Sequence, residues 1–254
     1  MLLYILLLPL SLVVHEIGHV LMALLFRVRV SKFCIFFDPW FRLLDTGKRF
    51  KTRFCIGWIP LGAYVRFGSS DGDDSNRSVL PPDLHPLKRV MISISGALMN
   101  LLMTYICIFA WVGSHEYNEG ELSIMQQIAS TNYIVESEAK STFSSISGYW
   151  MPQINNTRKP IEQSVKTVTA KKKATSNRWR TFLWGFACLN LFLAIFNMLP
   201  IPPLDGAQTL YNIYEFVLHR PVSRGFQIIA GAIGILLILG ANVADFIRYV
   251  CNML

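Results

Sequence analysis

At 254 residues, 52% of them hydrophobic and only 16% charged, with a mean hydropathy of +0.39, the chain is too apolar for an ordinary soluble domain, in which about 25% of residues are charged. Its formal net charge of +8 is spread over polar loops, where basic residues are drawn to anionic lipid headgroups. No basic cluster accompanies a recognisable nucleic-acid module, so no nucleic-acid partner is expected.

Four apolar runs approach the ~20 residues needed to cross a bilayer. They cover Met1 to about Phe26, about Val90 to Val112, about Thr181 to Leu199, and about Phe226 to Val250. The first has no basic residue before Arg27, unlike a signal peptide, and is expected to be a retained span. Between the first two runs, "FCIGWIPLGAYVRFG" (Phe54 to Gly68) is rich in aromatic and β-branched residues and is interrupted by a Pro60-Leu61-Gly62 turn signal. That pattern predicts a β-hairpin over about 54–68, followed by the polar linker "GSSDGDDSNRSVLPPD". Residues 113–180 are rich in Ser, Thr and Asn and end in the basic "KKKATSNRWR"; they form an extramembrane insert of unsettled fold.

The expected fold is therefore an α-helical polytopic membrane protein. It has about four transmembrane helices, a membrane-associated β-hairpin and an extramembrane insert. Residues 1–112 and 181–254 form the two halves of the membrane core, flanking the insert at 113–180. Arg27, Arg29, Lys32, Lys88 and Arg89 favour a cytosolic first loop; the competing basic residues lie in a loop of 68 residues, beyond the ~60 over which this bias counts. The five cysteines (Cys34, Cys55, Cys107, Cys188, Cys251) contain no CxxC pair, and no disulfide framework is implied. Cys107 and Cys188 read as small apolar fillers within spans.

Within the first run, "VVHEIGHVL" places His15, Glu16 and His19 in an HExxH pattern. Residues i and i+4 share a helix face, so both imidazoles can face one metal. Glu16 lies about 100° around from His15 and can reach a water there without acting as a ligand. This is the arrangement of a zinc hydrolase, with two imidazoles on Zn²⁺ and a carboxylate taking a proton from the attacking water. The bland alternative is a pair of core histidines bonded to neighbouring helices. Ionisable groups within spans are rare and default to function.

A catalytic zinc usually has three protein ligands. Asp205 is the candidate third. It lies in "FNMLPIPPLDGAQTL", where Pro200, Pro202 and Pro203 cannot continue a helix and Gly206 permits a sharp turn. Irregular backbone at membrane depth is tolerated only when buried in protein or facing water, and a hydrolytic site needs such a wet cavity. The competing reading makes Asp205 a turn residue at the interface.

With both motifs placed, the chain resembles the site-2 protease family of intramembrane zinc metalloproteases, most closely the bacterial branch that cuts anti-sigma factors and signal-peptide remnants. The family's HExxH appears as His15 to His19, and its N-x-x-P-x-P-x-x-D-G motif as Asn197, Pro200, Pro202, Asp205 and Gly206. "IPLGAYVRF" resembles its IPLGGYV-type segment. "SGALMNLLM", with Gly96 and Asn100, resembles its G-x-x-x-N motif. Relatives in this branch usually carry PDZ domains between the second and third core spans; none is recognisable in residues 113–180. Ala207-Gln208 stand where the family often has Gly-His.

The resemblance implies a Zn²⁺-dependent endopeptidase acting on single-span membrane proteins from within the lipid bilayer, with a bacterial plasma membrane as the default location. A substrate helix must be unwound locally before its peptide bonds can be attacked. A strand edge can capture the unwound segment, and Gly62, Ala63, Tyr64 and Val65 are the candidate residues. Asn100 and Asn197 are candidates to bond freed substrate amides or the oxyanion, or alternatively to hydrogen-bond between helices. Two other classes compete. One is a catalytically silent relative that binds or chaperones transmembrane segments; the other is a metal transporter, for which the unpaired broken segment is a poor match.

Overall fold

The computed structural model describes residues 2–38, 40–46, 52–68, 80, 84–114, 124–150 and 178–253. In chain order the elements are α1 (Leu2–Leu25), β1 (Val30–Phe37), β2 (Leu44–Asp45), β3 (Arg53–Ile56), β4 (Ile59–Phe67), α2 (Pro86–Gly113), α3 (Ile124–Trp150), α4 (Arg178–Asn197), α5 (Asp205–Leu218) and α6 (Arg224–Met253). Among the described residues three helices are long and apolar enough to cross a membrane, over Leu7–Leu25, Pro86–Gly113 and Trp179–Asn197. They leave Leu21, Leu24, Leu98, Leu102 and Phe192 exposed, as suits side chains that meet lipid. The expected fourth span falls in α6, a 30-residue helix whose described apolar part, Arg224–Leu237, is shorter than a span. The insert contributes α3. The linker after Gly68 (69–79) and the basic run Lys171 to Lys173 lie outside the described residues.

The described residues pack as two units, Met1–Ser11 with Asn100–Ile195, and Leu12–Met99 with Phe196–Leu254. The first is held by apolar residues of its helices, among them Leu7, Ile108, Phe186 and Leu191, all buried. Within this core Asn190 donates through Nδ2 to Ser11 Oγ at 3.1 Å, and Thr104 Oγ1 donates to the Ala187 carbonyl at 3.2 Å. Such bonds satisfy polar groups that lipid would leave bare. Cys107 is buried there, in keeping with a filler role.

In the second unit α1 ends in a left-handed residue, Arg27 (φ 57°). The Val28 amide donates to the Ala23 carbonyl (2.7 Å) and the Arg27 amide to that of Leu24 (3.0 Å). This Schellman turn aims the chain into β1. Ala23, Val28, Val30, Val65 and Ile92 form the buried cluster that joins α1, the sheet and α2.

The sheet has the strand order β2-β3-β1-β4. β1 pairs in parallel with β3 and antiparallel with β4. The expected hairpin is therefore corrected: β3 and β4 flank β1 instead of pairing with each other. The Gly57 amide bonds the Ile35 carbonyl at 2.8 Å as the chain passes the end of β1. The Pro60-Leu61-Gly62 signal lies inside β4 rather than at a turn. Ala63 pairs with Ile35 and Ile59 with Phe37, so residues 60–62 oppose Phe36 alone, an irregularity that uses positive φ at Gly62 (99°) and Phe36 (70°). Proline is tolerated in such edge or bulged positions.

The register also sets Cys34 opposite Cys55, their Cα atoms 4.6 Å apart, and the two are disulfide-bonded. This corrects the expectation of no disulfide. The partner is supplied by strand register across 21 residues, which cysteine spacing does not encode.

Around this bond Asp38 accepts from Lys32 Nζ at 2.8 Å, from Arg42 Nε at 2.5 Å and from the Tyr64 hydroxyl at 2.5 Å. Burial alone would raise the Asp38 carboxyl, but hydrogen bonds from Lys32, Tyr64 and Arg42 outweigh it and hold the group well below the usual carboxylate range. A carboxyl depressed by folding stabilises the fold above its unfolded pKa near 4 and loses that contribution as pH falls toward its folded value. Asp38→Asn should lower the melting temperature at pH 7 by the equivalent of about 3 kcal/mol, the effect of stripping a partner from a buried charge such as Lys32. In thermal melts of detergent-solubilised protein, the gap to wild type should narrow as pH drops below about 4. A gap independent of pH would refute this account.

Candidate active site

His15 and His19 lie one turn apart on α1, both buried, with their Nε2 atoms 3.2 Å apart. Asp205 opens α5. Its Oδ2 lies 2.8 Å from His15 Nε2 and 3.2 Å from His19 Nε2. The proline-rich break after α4 delivers it there. A Cβ on Gly206 would run into the carbonyls of Met198 and Leu199, so the break can fold onto the first turn of α5 only with glycine at that position. A carboxylate at a helix N-terminus also meets the positive end of the helix dipole.

The donor set fits a metal. His19 Nδ1 lies 2.7 Å from the Ile92 carbonyl, which calls for a proton on Nδ1 and leaves Nε2 of the neutral ring as a bare lone pair. That lone pair faces a carboxylate oxygen and a second imidazole nitrogen, a convergence that a metal cation satisfies, as a shared proton also can. Tetrahedral ligands about 2 Å from zinc sit roughly 3.3 Å from one another, close to the separations found. Among the described residues one other group meets the same spacing, Cys34, Asp38 and Cys55; there the sulfurs are joined to each other.

Space for the cation is made by Gly96 of α2. A Cβ at that position would come 2.5 Å from His19 Nε2 and 2.6 Å from His15 Nε2. Gly18, inside HExxH, lets α1 approach α2: its Cβ would collide with the Ser95 carbonyl and come 2.8 Å from the Met99 Cβ. Glu16 lies close enough to His19 and Asp205 to interact with their charges, and its carboxylate meets the backbone amide of Val65. The candidate base is thereby tied to β4, a nine-residue strand on the outer edge of the sheet.

His15, Glu16, His19, Asp205 and the strand residues Gly62, Ala63, Tyr64 and Val65 thus belong to one unit. The Val65 side chain is buried in the core cluster while its amide meets Glu16. The Tyr64 hydroxyl is committed to Asp38. Asn197 is the last residue of α4, one step before the proline break. Asn100 lies in the other unit, fully buried, where its carbonyl accepts from Thr104 Oγ1 at 2.9 Å. Sequence reasoning missed the Ile92 carbonyl, which orients His19, because a backbone acceptor leaves no residue signature. It recorded Gly96 only as a motif position, without its steric role.

The sequence also matches known proteins. The model of Peptidase family M50 matches residues 3–241. A candidate zinc metalloprotease of Clostridium perfringens is 23% identical over 318 aligned positions, covering 92% of this chain and 93% of that protein. One from Neisseria meningitidis is 35% identical over 96 residues, 36% of this chain and 21% of its own length. A chloroplast protein of Arabidopsis thaliana, named as a membrane metalloprotease, is 35% identical over 106 residues, 40% of this chain and 23% of its own. The chain thus spans nearly all of the clostridial relative and less than a quarter of the other two. With a match over almost its whole length, an HExxH helix and an aspartate brought to both histidines, the chain belongs to Peptidase family M50, the site-2 protease family.

Proposed function

We propose that this protein is an intramembrane zinc endopeptidase that cuts transmembrane segments of single-span membrane proteins. The observation that carries the reading is the convergence of His15, His19 and Asp205 Oδ2, with Glu16 beside them, on a helix apolar enough to span a bilayer. Membership of a peptidase family and relatives named as zinc metalloproteases support it. Zinc held by these three residues would supply Lewis acidity toward the scissile carbonyl and make water a better nucleophile. Glu16 takes the proton as the water oxygen attacks the carbonyl carbon, then hands it to the amine as the C–N bond breaks. The edge of β4 receives the unwound segment as an added strand along Gly62, Ala63, Tyr64 and Val65. Asn197 bonds freed amides or the developing oxyanion.

In this reading α6 is the fourth crossing, residues 1–112 and 181–254 are the two halves of the protease core, and the insert at 113–180 takes the place of a PDZ module. The expected setting is a bacterial plasma membrane. The expected substrates are anti-sigma factors or signal-peptide remnants.

Co-expression with tagged single-span proteins tests the reading. Glu16→Gln should abolish cleavage by at least ~100-fold, the scale of a lost general base, while purified protein keeps its zinc. Cleavage at the wild-type rate by that variant, or wild-type protein that binds no zinc, would sink the proposal.

The clearance at Gly96 makes a separate demand. Gly96→Ala should yield folded protein that has lost bound zinc, measured by elemental analysis, and cleavage with it. Full zinc occupancy in that variant would show that the site does not depend on this clearance.

A further inference from the structure

Below the ligands, α2 and α5 are joined by polar contacts that the proposed chemistry does not use. Arg89 Nη2 donates to Glu215 Oε1 at 2.5 Å, and the pair is largely buried, with side-chain exposures of 10% and 22%. Arg89 is held from behind as well, its Nε donating to the Leu84 carbonyl at 3.1 Å. One turn nearer the site, Asn212 Nδ2 donates to Ser93 Oγ at 3.4 Å.

On α5 these partners follow Asp205 at i+7 and i+10, on the side of the helix that carries the ligand. On α2, Arg89 and Ser93 precede Gly96 by seven and three residues, on the face that meets the histidines. The two helices therefore run as antiparallel rails with two rungs that lead toward the ligands. Arg89 meets Glu215, Ser93 meets Asn212, and Gly96 sits at the histidines that Asp205 approaches. The same stretch of α2 supplies the Ile92 carbonyl to His19.

We infer that Arg89 and Glu215 are positioning residues that set the axial register of α5, and so place the Asp205 carboxylate against His15 and His19. This deepens the peptidase reading and rests on it. The physical reason lies in tolerances. Metal–ligand distances must hold to about 0.2 Å, whereas a one-residue slip along a helix moves a side chain about 1.5 Å. The break before α5 cannot enforce that precision alone, because the helix can still slide along α2. Buried ion pairs contribute little net stability and are best attested as devices that fix register. A long, directional Arg–carboxylate contact ten residues from the ligand suits that role.

The test measures zinc affinity of purified full-length protein by chelator competition, alongside the melting temperature of the metal-free form. Glu215→Gln should weaken zinc binding about 10- to 100-fold, the range for outer-shell support of a ligand. Arg89→Gln should do the same, Arg89→Lys should stay within ~threefold of wild type, and the double variant R89Q/E215Q should lose no more than either single, as coupled partners do. If Glu215→Gln proves unstable, Asn212→Ala removes only the weaker rung and should weaken zinc binding a few-fold. Variants that melt lower yet bind zinc like wild type would overturn the inference, as would fully additive losses. Wild-type protein without zinc affinity would instead overturn the peptidase reading itself.

Discussion

Three electron-rich atoms, two imidazole nitrogens and a carboxylate oxygen, meet within 3.2 Å of one another inside a helical membrane protein. Without a metal ion or a shared proton that convergence would be repulsive, and strongly so in a low-dielectric setting. Much of the second unit reads as the apparatus that enforces it. The Ile92 carbonyl selects the ring tautomer. Gly96 keeps the central space clear, Gly18 draws α1 against α2, and Gly206 lets the proline break turn sharply into α5. None of these glycines is needed for backbone conformation; each is needed because a methyl group would occupy space already assigned.

The sheet is built around a different demand. β1 is paired on both sides and stapled to β3 by Cys34–Cys55, while Lys32, Asp38, Tyr64 and Arg42 fasten its polar face. β4 is left as a long outer strand. Unpaired edges invite association, and proteins usually shorten or block them. β2, at the other edge, is two residues long. β4 is nine, and it passes the candidate base. Val65 links the two demands, because its side chain is part of the core that positions α1 while its amide meets Glu16.

How much of this was legible in the residues depended on range. His15, Glu16 and His19 are a local pattern whose geometry follows from helix periodicity alone. Asp205 was readable because three prolines mark a break that an apolar run would otherwise not contain. The strand pairing was not readable, because Pro60-Leu61-Gly62 has the chemistry of a turn, and only the presence of β1 between β3 and β4 converts it into an irregular strand. The Cys34–Cys55 pairing was hidden for the same reason. α3 was missed because residues 124–150 mix Ser, Thr and charged residues with weakly periodic apolar ones. The fourth run was seen as a span on composition, and its helix, α6, starts within two residues of the expected place.

The outer edge of β4, unpaired among the described residues, also bears on which helices the proposed enzyme can cut. In a bilayer a helix satisfies its own backbone, and each N–H or C=O freed by unwinding costs several kcal/mol unless another partner takes it up. An antiparallel or parallel strand added to Gly62–Phe67 offers outward-facing groups from alternate residues only, so about three residues' worth of bonds can be restored. Unwinding much beyond that length would leave groups bare. Substrate choice should then depend less on side chains that fit pockets than on segments whose helix is already weak over roughly one to two turns, where glycine or proline lowers the cost of opening. On that view the sheet edge sets the length of the unwound segment, and the position of Glu16 beside the Val65 amide sets which peptide bond within it faces the base.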